Sequence, residues 1–200
     1  MSKKMLGRLL LGLFLLVVSG GLVESASHQA QASQASPENS IPAMYRVGKG
    51  NVGLFHHKLT LDEAKNLITG TYGGRLSEAR EPAGEGTTAR VLSAYFNGAP
   101  DHAPSIKITL DNDGNIYRIE ALSSEFRTTG GLHAGSTWDE IRSSYPQAKI
   151  TVEEIIAFHA PEDVTCRLST QSNPNWQKVK TRQENPPDDL KITGLFTYPR

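Results

Sequence analysis

Hydrophobic and polar positions alternate most cleanly between residues 105 and 122. Ile106, Ile108 and Leu110 fall on one side of an extended chain and Lys107 and Thr109 on the other, the two-residue period of a half-buried strand. The run Asp111-Asn112-Asp113-Gly114-Asn115 breaks the pattern. Gly114 supplies the positive φ that a tight hairpin turn requires. Residues 116–122 then return as the partner strand, with Tyr117, Ile119 and Ala121 on one face. Residues 88–96 are apolar on both sides, with Ala89, Val91 and Tyr95 opposite Leu92, Ala94 and Phe96, which predicts a central strand or one covered on both faces. Residues 51–55, 150–159, 164–169 and 190–198 read as further strands.

The period changes to a helical one at two places. Leu61, Ala64, Leu67 and Ile68 follow Thr60-Leu61-Asp62-Glu63, a capping box in which the threonine hydroxyl and the glutamate carboxylate satisfy each other's backbone amides. Gly70 is placed to stop this helix, so it is expected over residues 61–69. Thr137-Trp138-Asp139-Glu140 repeats the box ahead of Ile141, Arg142 and Tyr145, and Pro146 ends the second helix. Gly73-Gly74 and residues 81–86 are turn chemistry. The expected fold class is α+β, an antiparallel sheet packed by two short capped helices. Both boxes have a glycine seven residues before the threonine, Gly53 and Gly130, and both precede strands. This suggests two tandem helix-plus-strands units, although shared capping chemistry alone would produce the same match.

The ends of the chain do not belong to this pattern. Lys3, Lys4 and Arg8 precede an apolar run over residues 9–18, followed by small residues, the order of a secretory signal peptide. The unbroken run is shorter than the ~20 residues that span a bilayer, so no stable membrane anchor is expected after cleavage. Residues 1–26 are assigned to the signal, with Ala30-Gln31-Ala32 or Gly20 and Gly21 as other cleavage points. Residues 27–43 form a flexible Ser/Ala/Gln-rich leader that buries too little apolar surface to offset its ordering entropy, and residues 44–200 a single domain. The protein is therefore expected to be periplasmic or secreted.

Charge narrows the partners. The chain has 21 basic and 21 acidic side chains; setting the signal aside leaves a net charge of about −2. Nucleic acid is an unsuitable partner, because phosphate binding needs a concentrated positive field. Cys166 is the only cysteine, so no disulfide forms within the chain.

Candidate chemistry is sparse. Asp111, Asp113 and Gly114 resemble the middle of a calcium loop, but Thr109 stands where its first carboxylate belongs and the flanks alternate as strands. His56-His57 would point to opposite faces of a strand. The segment Gly130-Gly131-Leu132-His133-Ala134-Gly135-Ser136 lacks the lysine of a phosphate-binding loop, and Ser136 lacks the flanks of a nucleophile elbow. The sequence thus assigns no catalytic, cofactor-binding or metal-binding residue and calls for no cofactor. Cys166 with His159 is the alternative, a thiol–imidazole pair on adjacent strands serving an envelope hydrolase or thiol enzyme. Within the polar loop of residues 173–189, Trp176 among Lys178, Lys180 and Arg182 has the composition of a partner-binding anchor. The leading expectation is a non-enzymatic binding or structural module for an envelope protein partner. An inhibitor-like module of tandem units is a third reading.

Val52-Gly53, Gly70-Thr71-Tyr72, Asp113-Gly114-Asn115-Ile116 with Arg118-Ile119, Leu122-Ser123-Ser124, Gly131-Leu132 and Gly135 together resemble the small Gram-negative envelope proteins named after the RpoE-regulated lipoprotein, a domain of unknown function. Cys166 and Pro187-Asp188-Asp189-Leu190 extend the resemblance, which covers residues 47–200. It implies an envelope role with no assigned activity. The lipid-bearing cysteine of such lipoproteins is absent here. So is the second cysteine, near Ala148, that the resemblance would pair with Cys166.

Overall fold

The alternation over residues 105–122 forms the hairpin it predicts, and that hairpin lies in the middle of a large sheet. The structure, a computed structural model, describes residues 41–199 apart from 85, 97, 100, 101, 153, 154 and 172–185. Eight strands make the sheet: β4 (Arg75–Gly84), β5 (Thr87–Tyr95), β6 (Ile106–Leu110), β7 (Ile116–Ala121), β9 (Ile150–Val152), β10 (Ile156–Ala160), β11 (Val164–Ser169) and β12 (Lys191–Thr197). Their order is β4-β5-β6-β7-β12-β11-β10-β9, antiparallel throughout, so two four-stranded meanders meet at β7 and β12. A smaller sheet runs β3 (Phe55–His56), β2 (Asn51–Val52), β1 (Arg46–Gly48), β8 (Arg127–Thr128), with β1 and β8 parallel. The class is α+β.

Both capping boxes form. Glu63 N donates to Thr60 Oγ1 at 3.2 Å while Thr60 N donates to Glu63 Oε2 at 2.8 Å, opening α1 (Leu61–Asn66). Thr137 and Glu140 repeat the exchange at 3.3 and 2.8 Å, opening α2 (Trp138–Ser144). The first helix departs from the expected span. After Asn66 it widens into a π-turn over Leu67–Thr71 that carries the chain through Gly70 to Tyr72.

One row of register partners shows how the core is built: Ala94, Ile106, Ala121, Leu195, Cys166 and Phe158 lie side by side across six strands. Ala64 and Ile68 from the first helix and its turn, Trp138 and Ile141 from α2, and Val47, Val52 and Phe55 from the small sheet join the same buried cluster. Both helices and the small sheet therefore pack on one face. Each isoleucine or leucine enclosed there is worth about 1.5–3 kcal/mol relative to exposure. Tyr72, Phe96 and Phe55 stack at the seam, with the Tyr72 and Phe96 rings 4.6 Å apart and Phe126 tilted against Phe96.

Three expectations are corrected. Residues 150–159 make two short strands, β9 and β10, rather than one. Residues 75–84, read in part as turn, form the ten-residue edge strand β4. The Tyr117 side chain leaves the core face: a bulge pairs Thr109 with Arg118 and then Leu110 with Ile116, so Tyr117 is skipped and stands 50% exposed.

Candidate functional site

Alternate residues of the large sheet point away from the helices. Val91, Ala157 and Phe196 are buried yet stand outside the core cluster. They belong to the opposite face, where register aligns Ser93, Lys107, Glu120, Phe196, Thr165 and His159 across the strands. Among the described residues, neither a helix nor the small sheet lies on this face. Its side chains are packed largely by one another.

At the centre is a carboxylate enclosed by its neighbours. Glu120 is 3% exposed, and its Oε1 meets the Arg167 guanidinium from two strands away, across β12. Gly194 lies beneath this contact: a Cβ there would stand 2.5 Å from Glu120 Oε1 and 3.3 Å from Arg167 Nη2. The backbone at Gly194 needs no positive φ, so the glycine is required by space alone. On the other half of the face, Lys107 Nζ donates to both oxygens of Glu81 at 2.8 Å, spanning β5. Isolated surface pairs of this kind contribute little to stability. Their effect is to fix where the charges stand.

The β7 end of the face is aromatic. The Arg118 guanidinium lies 5.7 Å from the centroid of Phe196, Phe196 meets Tyr198 edge-on at 5.4 Å, and Tyr198 meets Tyr117 at 5.6 Å. Tyr198 is 41% exposed. Arg118 Nε is buried and has no hydrogen-bond partner among the described residues. Arginine and tyrosine held rigidly by neighbours are the residue types that dominate protein interfaces, because they bring large contact area at low entropic cost. Tyr117 and Arg118 also line a notch of about 650 Å³ beside the β4–β5 ribbon.

Elsewhere the structure separates what the sequence brought together. His159 and Cys166 cannot form a thiol–imidazole pair: Cys166 is opposite Phe158 and faces the core, whereas His159 is opposite Thr165 and faces outward. The His159 ring nitrogens lie 3.0 Å from Thr165 Oγ1 and 3.3 Å from Thr151 Oγ1. Burial pushes the Cys166 thiol up to about 12, which opposes thiolate chemistry.

The Asp111 carboxylate accepts from the amides of Asp113 and Asn115 at 3.0 and 2.8 Å, which holds its pKa below the usual value. Among the described residues no three His, Cys, Asp or Glu side chains gather as a metal site. Amides of the glycine-rich segment are used internally: Gly131 N donates to Thr128 O, Leu132 N to Thr128 Oγ1 and Gly135 N to Ile192 O. His57 is half-buried between the two sheets, its Nδ1 3.2 Å from Ile116 O and its Nε2 3.3 Å from Thr197 Oγ1; burial lowers its pKa. Trp176, Lys178, Lys180 and Arg182 lie outside the described residues.

The open face escaped sequence reasoning because its parts come from seven strands. The one available signal was the two-sided apolar pattern of residues 88–96.

No protein-family model matches the chain, and no curated protein matches it. Among solved structures, the crystal structure of the uncharacterized protein YfeY from Escherichia coli is similar, with a TM-score of 0.54 and 17% sequence identity over 77% of this chain and 99% of that one. The likeness shows a shared fold. No helix among the described residues is long and apolar enough to cross a membrane.

Proposed function

We propose that the protein is an exported module of the cell envelope that binds a partner protein on the open face of its eight-stranded sheet, without catalysing a reaction. The observation that carries this reading is the aromatic end of that face, where Arg118, Phe196, Tyr198 and Tyr117 form a preorganised and partly exposed anchor set. Export rests on the N-terminal sequence alone. The basic loop with Trp176, Lys178, Lys180 and Arg182 is proposed as a second contact, which deletion of residues 173–185 tests.

The reading is checked by placing a photo-crosslinking amino acid at Tyr198, or on the helix side at Glu140, in the full chain expressed in a Gram-negative envelope. A discrete adduct from position 198 and none from 140 is expected. Equal adducts from both positions, or adducts from 140 alone, would overturn it.

A narrower second reading is an inhibitor-like module of two tandem units. It is favoured by a repeated detail: Gly53 lies beneath the Tyr72 hydroxyl and Gly130 beneath the Tyr145 hydroxyl, each tyrosine ending the helical segment of its own half. Four-stranded meanders follow both. Loss of the captured partner's enzymatic activity on complex formation is the corresponding test.

A further inference from the structure

Among the described residues, no strand fills the lane beside the start of β5. Pairing between β5 and β6 ends at Arg90 and Leu110, but β5 begins at Thr87 and stays paired with β4 on its other side. Thr88 is the register partner of Pro82, which has no N–H. That pair is therefore one in which the two residues exchange no hydrogen bonds, so Thr88 turns its N–H and C=O away from β4. The same parity is visible farther along β5, where the Ala94 carbonyl accepts from Ser105 N, in the chain entering β6, at 2.7 Å. Thr88 thus presents a strand edge to the space that β6 vacates when it turns at Asp111. That space is the notch of about 650 Å³, and Thr88 lines it.

The charges around the notch are unbalanced. Arg80, Arg90 and Arg118 line it. Arg90 is paired with Glu78, whereas Arg80 and Arg118 have no ion-pair partner among the described residues. Two carboxylates also line it, but both are engaged: Glu81 holds Lys107, and Asp111 accepts the amides of its own turn. An entering group therefore meets a short strand edge that no described strand pairs, together with two guanidiniums that are unpaired among the described residues.

We propose that this notch receives an extended acidic segment of the partner protein, which hydrogen-bonds along Thr88 as a short added strand and sets a carboxylate against Arg118. The proposal rests on the open-face reading and gives the partner its chemistry. Main-chain pairing supplies affinity in such strand addition, and side-chain pockets supply the selection.

The test uses the full chain and a short synthetic peptide alternating Glu with Val or Thr, compared with the same peptide carrying Lys for Glu and with an acidic version N-methylated on alternate residues. Binding is followed by fluorescence anisotropy and by the amide resonances of residues 87–90. The unmodified acidic peptide is expected to bind and to shift Thr88. N-methylation, Arg118→Gln and Thr88→Pro are each expected to weaken it by about tenfold or more, the scale of an interface anchor. Thr88→Pro deletes an N–H that β4 does not use, and an unchanged melting temperature verifies that the ribbon survives. Equal affinity for the N-methylated peptide would reduce the notch to a charge patch and overturn the strand proposal. So would equal binding of the lysine peptide, or the same resonance shifts with inorganic phosphate alone. Failure of all peptides with the crosslink at position 198 intact would sink this inference and leave the open-face reading standing.

Discussion

Arg167 reaches Glu120 across a strand that carries glycine at the crossing point. The two ends of the pair differ: the Glu120 side chain is 4% exposed and that of Arg167 37%. Removing the arginine leaves a buried carboxylate without its countercharge, whereas neutralising the glutamate leaves an arginine that still reaches water. Arg167→Ala is therefore expected to cost about 2–3 kcal/mol, approaching the loss seen when a buried pair is broken. Glu120→Gln should cost about 1 kcal/mol or less. Urea denaturation of the two variants and their double mutant measures the asymmetry. Equal costs would show that the pair behaves as a surface one.

Gly194→Ala approaches the same contact from below. The added methyl would meet Glu120 Oε1 at 2.5 Å and Leu122 Cδ2 at 3.1 Å, so the ion pair must shift. A loss of about 1–3 kcal/mol is expected, the range for overpacking a filled site. Because the backbone there is unstrained, combining Gly194→Ala with Glu120→Gln should cost less than the sum of the two. Strict additivity would place the clash elsewhere.

The Tyr145 ring lies over Gly130, where a Cβ would stand 2.4 Å from its hydroxyl oxygen and 2.8 Å from Cζ. That hydroxyl donates to Glu162, which also accepts from Thr129 Oγ1 at 2.5 Å. Phe158 packs against the same ring, 5.5 Å between centroids, which restricts its movement. Gly130→Ala should thus destabilise by about 1–3 kcal/mol. Tyr145→Phe removes one bond of a two-donor carboxylate and should cost about 1–2 kcal/mol. Thermal melts of both variants decide the order, and a neutral Gly130→Ala would refute the close contact.

Local rules carried much of this fold into the sequence. Thr60 with Glu63 and Thr137 with Glu140 close their boxes within four residues, and the Asp111 turn satisfies itself, so neighbours in sequence were enough to read them. β4 was not legible because every residue except Glu81 is exposed: an edge strand lying away from the core has no apolar face to create a period of two. Tyr117 was misassigned because a bulge resets the alternation from the partner strand, which one strand's own pattern does not record. The open face was illegible for the same physical reason on a larger scale. Glu120, Arg167 and Gly194 become neighbours only through β7, β12 and β11, and the sequence distance between β7 and β12 carries no local signal.

Cys166 allows a test of pH dependence with a definite sign. Its thiol stays protonated in the fold up to about 12, against an ordinary value of 9.0, because burial disfavours the thiolate. In the unfolded chain the same thiol ionises from about pH 9. Above that value the native state holds a proton that the unfolded state has released, so the contribution to stability is full below pH 9 and is lost as pH rises toward 12. Tyr145 and Tyr72, both raised by burial, act in the same direction at the alkaline end. Denaturation midpoints measured from pH 7 upward should fall above pH 9, and Cys166→Ala should remove part of that slope while leaving the tyrosine part. The buried thiol should also alkylate slowly at neutral pH until denaturant is added. Rapid native labelling, or a slope unchanged by Cys166→Ala, would show that the thiolate is accessible in the fold and reopen the reactive reading of this cysteine.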